Sequence, residues 1–262
     1  MTKTSLLRWL SVVALCSLTG CVTTQPPGSA NVNDPLEASN RAIFEFNETI
    51  DRAVFKPVAE AYAFITPQPV RTCIYNVFLN IGDVWSMFNS AIQGRQVDAL
   101  NTMGRILLNT TAGLGGCLDL ASARGAQRIP NDFGVTLGVW GIGSGPYVVL
   151  PIIGASTLRD GSGKIVDLYV NQVGWGSTVS NIDLRNSLYG LEAVVRREAL
   201  LDISNVIDRT ALDRYSFIRD AYLKRRSAQV RGQGAEAEAL PNYEDVEAEA
   251  TDRKSLSITD KK

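Results

Sequence analysis

The chain has 262 residues, with 26 Lys and Arg against 27 Asp and Glu and no histidine. Near-neutrality leaves no global field to draw in nucleic acid. The missing imidazole removes Ser–His–Asp and Cys–His catalysis, a general base poised near neutral pH, and almost all zinc chemistry. An apolar fraction of 45% is ample for a core of one or two domains.

Residues 1–20 open with Lys3 and Arg8, continue through an apolar run from Trp9 to Leu18, and end on the small pair Thr19-Gly20. This is the anatomy of a cleaved secretory signal peptide, and the run falls short of the roughly 20 apolar residues of a spanning helix. Cys21 follows directly, and Leu18-Thr19-Gly20-Cys21 resembles the lipobox of bacterial lipoproteins, where the thiol receives a diacylglycerol and the new amino terminus is acylated. Several acyl chains at ~0.8 kcal/mol per buried CH₂ make a lasting anchor. Val22, where Asp would signal inner-membrane retention, favours the periplasmic face of the outer membrane. Cleavage removes Lys3 and Arg8 and leaves 24 basic and 27 acidic side chains, a net charge of −3. Of the cysteines, Cys73 and Cys117 then remain available. An oxidising periplasm permits a disulfide between them, and two buried thiols are the rival reading.

Residues 21–33 read as a lipidated flexible tether. A helix start follows, with Asp34 as N-cap, Pro35 at the first position and Glu37 completing a capping box. Leu36, Ile43, Phe46, Ile50 and Val54 line one face of this helix, opposite Glu37, Arg41, Glu45, Glu48 and Arg52. Pro57 opens a short helix to about Ile65, which Thr66-Pro67-Gln68-Pro69 breaks. Helices over about 69–93 and 95–110 carry wide apolar stripes: Val70, Ile74, Val77, Phe78, Ile81, Val84, Trp85, Phe88 and Ile92, then Val97, Leu100, Met103 and Leu107. A helix is expected over 156–172, and two or three polar helices over 183–230 with charge pairs such as Glu192–Arg196 and Asp220–Lys224. From 231 to 262 the chain is acidic and poor in large apolar residues, the composition of a disordered tail.

No charged residue occurs between Asp132 and Arg159, yet seven glycines and prolines punctuate the segment by Pro151. It is too broken to cross a bilayer as one helix, and irregular backbone at membrane depth survives only where protein or a watery cavity satisfies it. The expected form is a helix from about Asn131 to Trp140, a glycine turn, and an apolar return through Tyr147-Val148-Val149-Leu150. A buried hairpin in a soluble domain is the competing form. Arg159 and Asp160 read as a structural ion pair or cap.

Catalytic and metal motifs fail on inspection. Gly141-Ile142-Gly143-Ser144-Gly145 has Pro146 where the dinucleotide fingerprint needs its third glycine, and Gly161-Ser162-Gly163-Lys164 lacks the earlier glycine and the hydroxyl of a P-loop. No serine sits in a Gly-x-Ser-x-Gly elbow, and no spacing suits zinc or calcium. The sequence assigns no cofactor, catalytic residue or metal ligand. What remains is a surplus of wide apolar faces, which suits a protein packed partly into a bilayer leaflet.

Asp34-Pro35-Leu36-Glu37, Asn40-Arg41, Phe46-Asn47, Lys56-Pro57-Val58-Ala59, Pro67-Gln68-Pro69-Val70-Arg71, Asn109-Thr110 and Gly115-Gly116 recur in order, with Leu118-Asp119 following. Asp132-Phe133-Gly134, Thr136-Leu137-Gly138, Gly145-Pro146-Tyr147, Leu150-Pro151 and Ser156-Thr157-Leu158-Arg159-Asp160 continue the series. This pattern resembles the MlaA/VacJ phospholipid-binding lipoproteins of Gram-negative outer membranes over about 34–160, and more weakly to about 225. The resemblance implies an all-α domain over 34–230: a ring-like bundle of amphipathic helices with the glycine-rich hairpin, partly embedded in the inner leaflet, around an amphipathic channel. Phospholipid that has strayed to the outer leaflet passes through it to a soluble periplasmic carrier, no bond being made or broken, and members associate with trimeric porins. On that reading the expected lipid path is Trp140, Gly141, Gly143, Ser144, Gly145, Tyr147, Val148, Val149 and Leu150. Turn backbone and the hydroxyls of Ser144 and Tyr147 would meet the headgroup, and Trp140, Val148, Val149 and Leu150 the acyl chains. The rival functions are an envelope scaffold that organises porins without carrying lipid, and a lipid hydrolase using Ser or a carboxylate.

Overall fold

The computed structural model describes residues 34–232. The signal peptide, Cys21, the tether and the acidic tail beyond Gly232 lie outside the described residues. The fold is all-α with one small hairpin. Helix α1 (Glu37–Ile50) runs through a π-helical stretch (Asp51–Phe55) into α2 (Lys56–Ile65), so Pro57 sits in a first turn as expected. The helix starts two residues later than the expected Asp34 cap. Leu36 is the N-cap, and Glu37 accepts from Arg41 Nε at 2.8 Å, which commits its carboxylate to the helix face.

Thr66 is extended and ends α2, and α3 (Gln68–Ile92) and α4 (Gln96–Thr111) follow and pack along one another. Cys73 and Cys117 form a disulfide, with Cα atoms 4.1 Å apart. It fastens the glycine-rich turn after α4 to the first turns of α3, beside the bond from Asn76 Nδ2 to Cys117 O at 3.1 Å. Closing 44 residues of chain is worth about 2–4 kcal/mol. Cys117→Ala should lower the unfolding free energy by that amount, and wild type unfolded with reductant should match it. A wild type indifferent to reductant would show that the crosslink contributes nothing.

Short α5 (Leu120–Ala123) leads to α6 (Phe133–Val139), where Asp132 is the N-cap and accepts from Val135 N at 2.9 Å. The apolar return is a strand, β1 (Tyr147–Leu150), paired antiparallel with β2 (Gly154–Thr157) in the register Tyr147 to Thr157. The competing strand edge is covered by side chains of α1. Asn40 donates to Tyr147 O at 3.0 Å and accepts from Val149 N at 2.9 Å, while Asn47 repeats the pattern on Leu150 O and Ile152 N. Two amides two helical turns apart thus satisfy backbone groups that a third strand would otherwise have to meet.

Helix α7 (Leu158–Thr178) starts two residues later than expected because β2 claims Ser156 and Thr157. It crosses α6 closely: a Cβ on Gly163 would lie 2.5 Å from Gly134 N. Helices α8 (Ile182–Glu198), α9 (Leu201–Thr210) and α10 (Arg214–Arg231) complete the described chain, with Gly232 left-handed at the last C-cap. Glu192–Arg196 pairs as expected, whereas Asp220 takes its neighbour Arg219. The apolar core gathers Tyr147, Val149 and Tyr215 with Ile43, Phe44, Tyr222 and Leu223, the rings meeting edge to face.

Candidate functional site

Helices α3 and α4 are inverted relative to a water-soluble pair. The spacing i, i+3, i+4 sorts their apolar residues onto one face, and that face points outward. Phe88 is 53% exposed and Leu100 61%, with Ile81, Val84, Ile92, Val97, Met103 and Leu107 exposed alongside. The buried face is mostly polar: Asn80, Asp83, Ser86, Asn89 and Ser90 on α3 with Gln93 at its C-cap, and Thr102, Arg105 and Asn109 on α4, with Phe78 and Ala99 the apolar exceptions. In water the helices would turn the other way.

The buried polar residues are tightly connected. Asp83, 1% exposed, accepts from Arg128 Nε at 2.6 Å and lies 3.5 Å from Arg105 Nε. Arg105 also grips Asp119, which caps α5 through Ser122 N. Burial pushes the Asp83 carboxyl above its ordinary value, and the two guanidinium groups pull the other way. Burial likewise opposes ionisation of Asp119, but Ser122, Asn109 and Arg105 together hold it down to about 2. Thr136 on α6 donates to Asn89 Oδ1 at 2.7 Å and accepts from Gln93 at 2.9 Å, and Asn131 bonds Ser86 and Ser90. Such a layer is stable only if its members are satisfied internally. The eight outward apolar side chains named above, each worth roughly 1.5–3 kcal/mol on full burial and about half exposed here, represent on the order of 6–12 kcal/mol available to an apolar surrounding. No helix of the described residues is long and apolar enough to cross a membrane.

The glycine turn joins this face to a charged cluster. Trp140, Gly141, Gly143, Ser144 and Gly145 are exposed together, and Gly141 takes φ +93°, a conformation that suits glycine. Trp140 Nε1 donates to Ile92 O at 3.2 Å, which ties the turn to the end of the α3 stripe. On the other side Arg159 N donates to Ser144 O, and its guanidinium pairs with Asp160 at 2.8 Å. Arg159 and Asp160 are a structural pair, as their sequence suggests. The four remaining expected path residues part company with the turn. Tyr147 and Val149 are buried in the core, because strand alternation sends them inward, while Val148 and Leu150 are half-buried on the opposite face. The Tyr147 ring packs against Tyr215 and Tyr222, so the expected headgroup contact of its hydroxyl and the acyl contact of Val149 give way to packing roles.

Sequence reasoning missed the cluster around Arg226. Its guanidinium takes Asp132 in a bidentate pair at 2.7 and 2.9 Å and reaches Asp160 at 3.0 Å, where Tyr222 also donates. Burial opposes ionisation of both carboxyls, but Arg226 outweighs it and holds Asp160 down to about 2 and Asp132 below its usual range. Asp167, two turns further along the same face of α7, accepts from Trp85 Nε1 at 2.8 Å and Phe133 N at 3.0 Å through the same oxygen. Burial pushes it upward. The sequence signal was confined to Asp132 and Asp160 flanking the uncharged 133–158 stretch, and Arg226 is hidden beside Lys224 and Arg225 in a strongly charged run. Among the described residues no group of carboxylates and thiols is arranged to hold a metal ion.

The family model of the MlaA lipoproteins matches residues 32–229. The chain is 32% identical over 249 residues to the intermembrane phospholipid transport system lipoprotein MlaA of Escherichia coli K12, covering 93% of this chain and 97% of that protein. It is 35% identical over 247 residues to the protein of the same name from Haemophilus influenzae, covering 92% and 96%. A solved structure concerned with the structural basis for maintenance of bacterial outer membrane lipid asymmetry superposes with a TM-score of 0.63 at 33% identity, over 75% of this chain and 98% of that one. The chain belongs to the MlaA lipoprotein family.

Proposed function

We propose that this protein is an outer-membrane lipoprotein that withdraws mislocalised phospholipid from the outer leaflet and delivers it to a soluble periplasmic carrier, maintaining lipid asymmetry. Cys21 carries the acyl anchor on the periplasmic face. The helices lie as a ring within the inner leaflet around an amphipathic passage, and a trimeric porin braces the assembly. The reaction is transfer, with no covalent step.

The observation that carries this reading is the inversion of α3 and α4, apolar outward and ion-paired inward. A lipid crossing a leaflet needs its headgroup wet and its chains in hydrocarbon. The 140–145 turn spans that boundary, bonded to the apolar stripe through Trp140 and to the charged cluster through Arg159.

Cells lacking the protein should expose more phospholipid on their surface, measured by labelling with a reagent that cannot enter. Unchanged exposure would overturn the transport reading. Gly143→Trp tests the passage: nothing lies within 4 Å of a Cβ there, so the fold accommodates the ring. Purified variant should carry several-fold less co-extracted phospholipid than wild type at unchanged helical content. Lipid-free wild type that still copurifies with porin would favour the scaffold.

A further inference from the structure

Lys164 lies on α7 one turn after Asp160 and one turn before Asp167, which places the three on one helical face. Every other charged group of this cluster is engaged. Asp132 and Asp160 are held by Arg226, Arg159 pairs with Asp160, and Asp167 Oδ1 takes both Trp85 and Phe133. Among the described residues, Lys164 makes no ion pair and Asp167 Oδ2 accepts no hydrogen bond, although the two side chains lie close enough to influence one another. Both side chains are partly buried, and neither Lys164 Nζ nor Asp167 Oδ2 is sealed from solvent. Around the helix from Lys164 come Leu168, Ile165 and Tyr169, all exposed. A cation and an anion with open valences thus border an apolar stripe.

We propose that Lys164 and Asp167 read the headgroup of a phosphoethanolamine lipid, Lys164 Nζ donating to the phosphodiester and Asp167 Oδ2 accepting from the primary ammonium. The inference rests on the transport reading and adds the substrate class. A zwitterion of this kind fills the gap between two opposite charges that do not meet, and its chains leave along Ile165, Leu168 and Tyr169. Burial presses Lys164 below its ordinary value and Asp167 above its own, a strain that opposite charges from a ligand relieve. A glycerol headgroup keeps the phosphate for Lys164 and offers Asp167 no cation.

The full-length acylated protein in mixed micelles is incubated with vesicles of equal phosphatidylethanolamine and phosphatidylglycerol, re-isolated, and its lipid quantified by mass spectrometry. Wild type should be enriched in phosphatidylethanolamine. Losing one charge-assisted hydrogen bond lowers occupancy about tenfold. Lys164→Gln should therefore reduce both lipids by that factor and Lys164→Arg should restore them. Asp167→Asn keeps the acceptor for Trp85 and Phe133, so it should reduce phosphatidylethanolamine alone and bring the ratio towards one. If Lys164→Gln loses its helical signal, the Asp167→Asn ratio decides by itself. Wild type with lipid in the supplied ratio, or a ratio that Asp167→Asn leaves unchanged, overturns this inference and leaves transport standing. Wild type with no lipid overturns both. Glycerophosphoethanolamine is the soluble source of the same chemistry, and binding as tight as the lipid's would overturn the assignment to a lipid.

Discussion

Arg226→Leu should destabilise the fold by about 3 kcal/mol, because it leaves a buried Asp160 and a half-buried Asp132 charged and without their shared partner. Leucine approximates the stem, so the loss is electrostatic rather than a cavity. The same Arg links α10 to the α6 cap and to the start of α7, three elements that otherwise share few polar contacts. The effect should depend on pH with a definite sign. In wild type the folded pKa values of Asp132 and Asp160 are depressed, so their contribution is present above the unfolded carboxylate value near 4 and is lost as pH falls through the folded value, about 2 for Asp160. Asp83 and Asp167, pushed upward by burial, work in the opposite direction and flatten the slope. In Arg226→Leu the two carboxyls lose the guanidinium that most offsets their burial, although Asp160 keeps Arg159 and Tyr222, and should titrate higher than in wild type, so acidification relieves the defect and the gap to wild type narrows towards pH 4. Urea unfolding in detergent at pH 7 and pH 4 measures this. A gap that stays constant or widens on acidification would show that Arg226 does not compensate these charges.

Phe88→Glu and Leu100→Glu should leave folding within about 0.5 kcal/mol of wild type, since both side chains stand on the outer face. Their effect falls on membrane association. A carboxylate placed into hydrocarbon costs roughly 2.5–3.5 kcal/mol, which weakens partitioning by about a hundredfold for each substitution. Flotation of the unacylated chain with phospholipid vesicles reads this directly. Substitution of the buried faces should behave in the reverse manner: Arg105→Ala should unfold the protein and leave no specific signature in membrane affinity. Unchanged flotation of both Glu variants would mean that the outward faces of α3 and α4 meet protein rather than lipid.

The break at Thr66-Pro67, the helix boundaries from 68 to 111 and the three polar helices after 182 follow from local rules, because capping, proline geometry and apolar period act within a few residues. The family pattern was legible too, since its motifs are spread along the chain in fixed order. The site was legible only in part. Gly141, Gly143 and Ser144 announce an exposed turn by composition, but Tyr147 and Val149 look no different from Val148 and Leu150 until strand pairing fixes which side faces the core. Asn40 and Asn47 read as ordinary polar positions on a helix face, and their work on the β1 backbone depends on a partner more than a hundred residues away.

By itself the sequence determined that α3 and α4 each have an apolar side and a polar side, because a period of 3.6 residues is written in the order of the residues. Which side faces outward was decided by tertiary structure. The partners that make a buried Asp83 or Arg105 tolerable arrive from Arg128 and Asp119, outside both helices. Burial of a charge is governed by compensation at a distance of a few ångströms, and no periodicity along one helix encodes that distance.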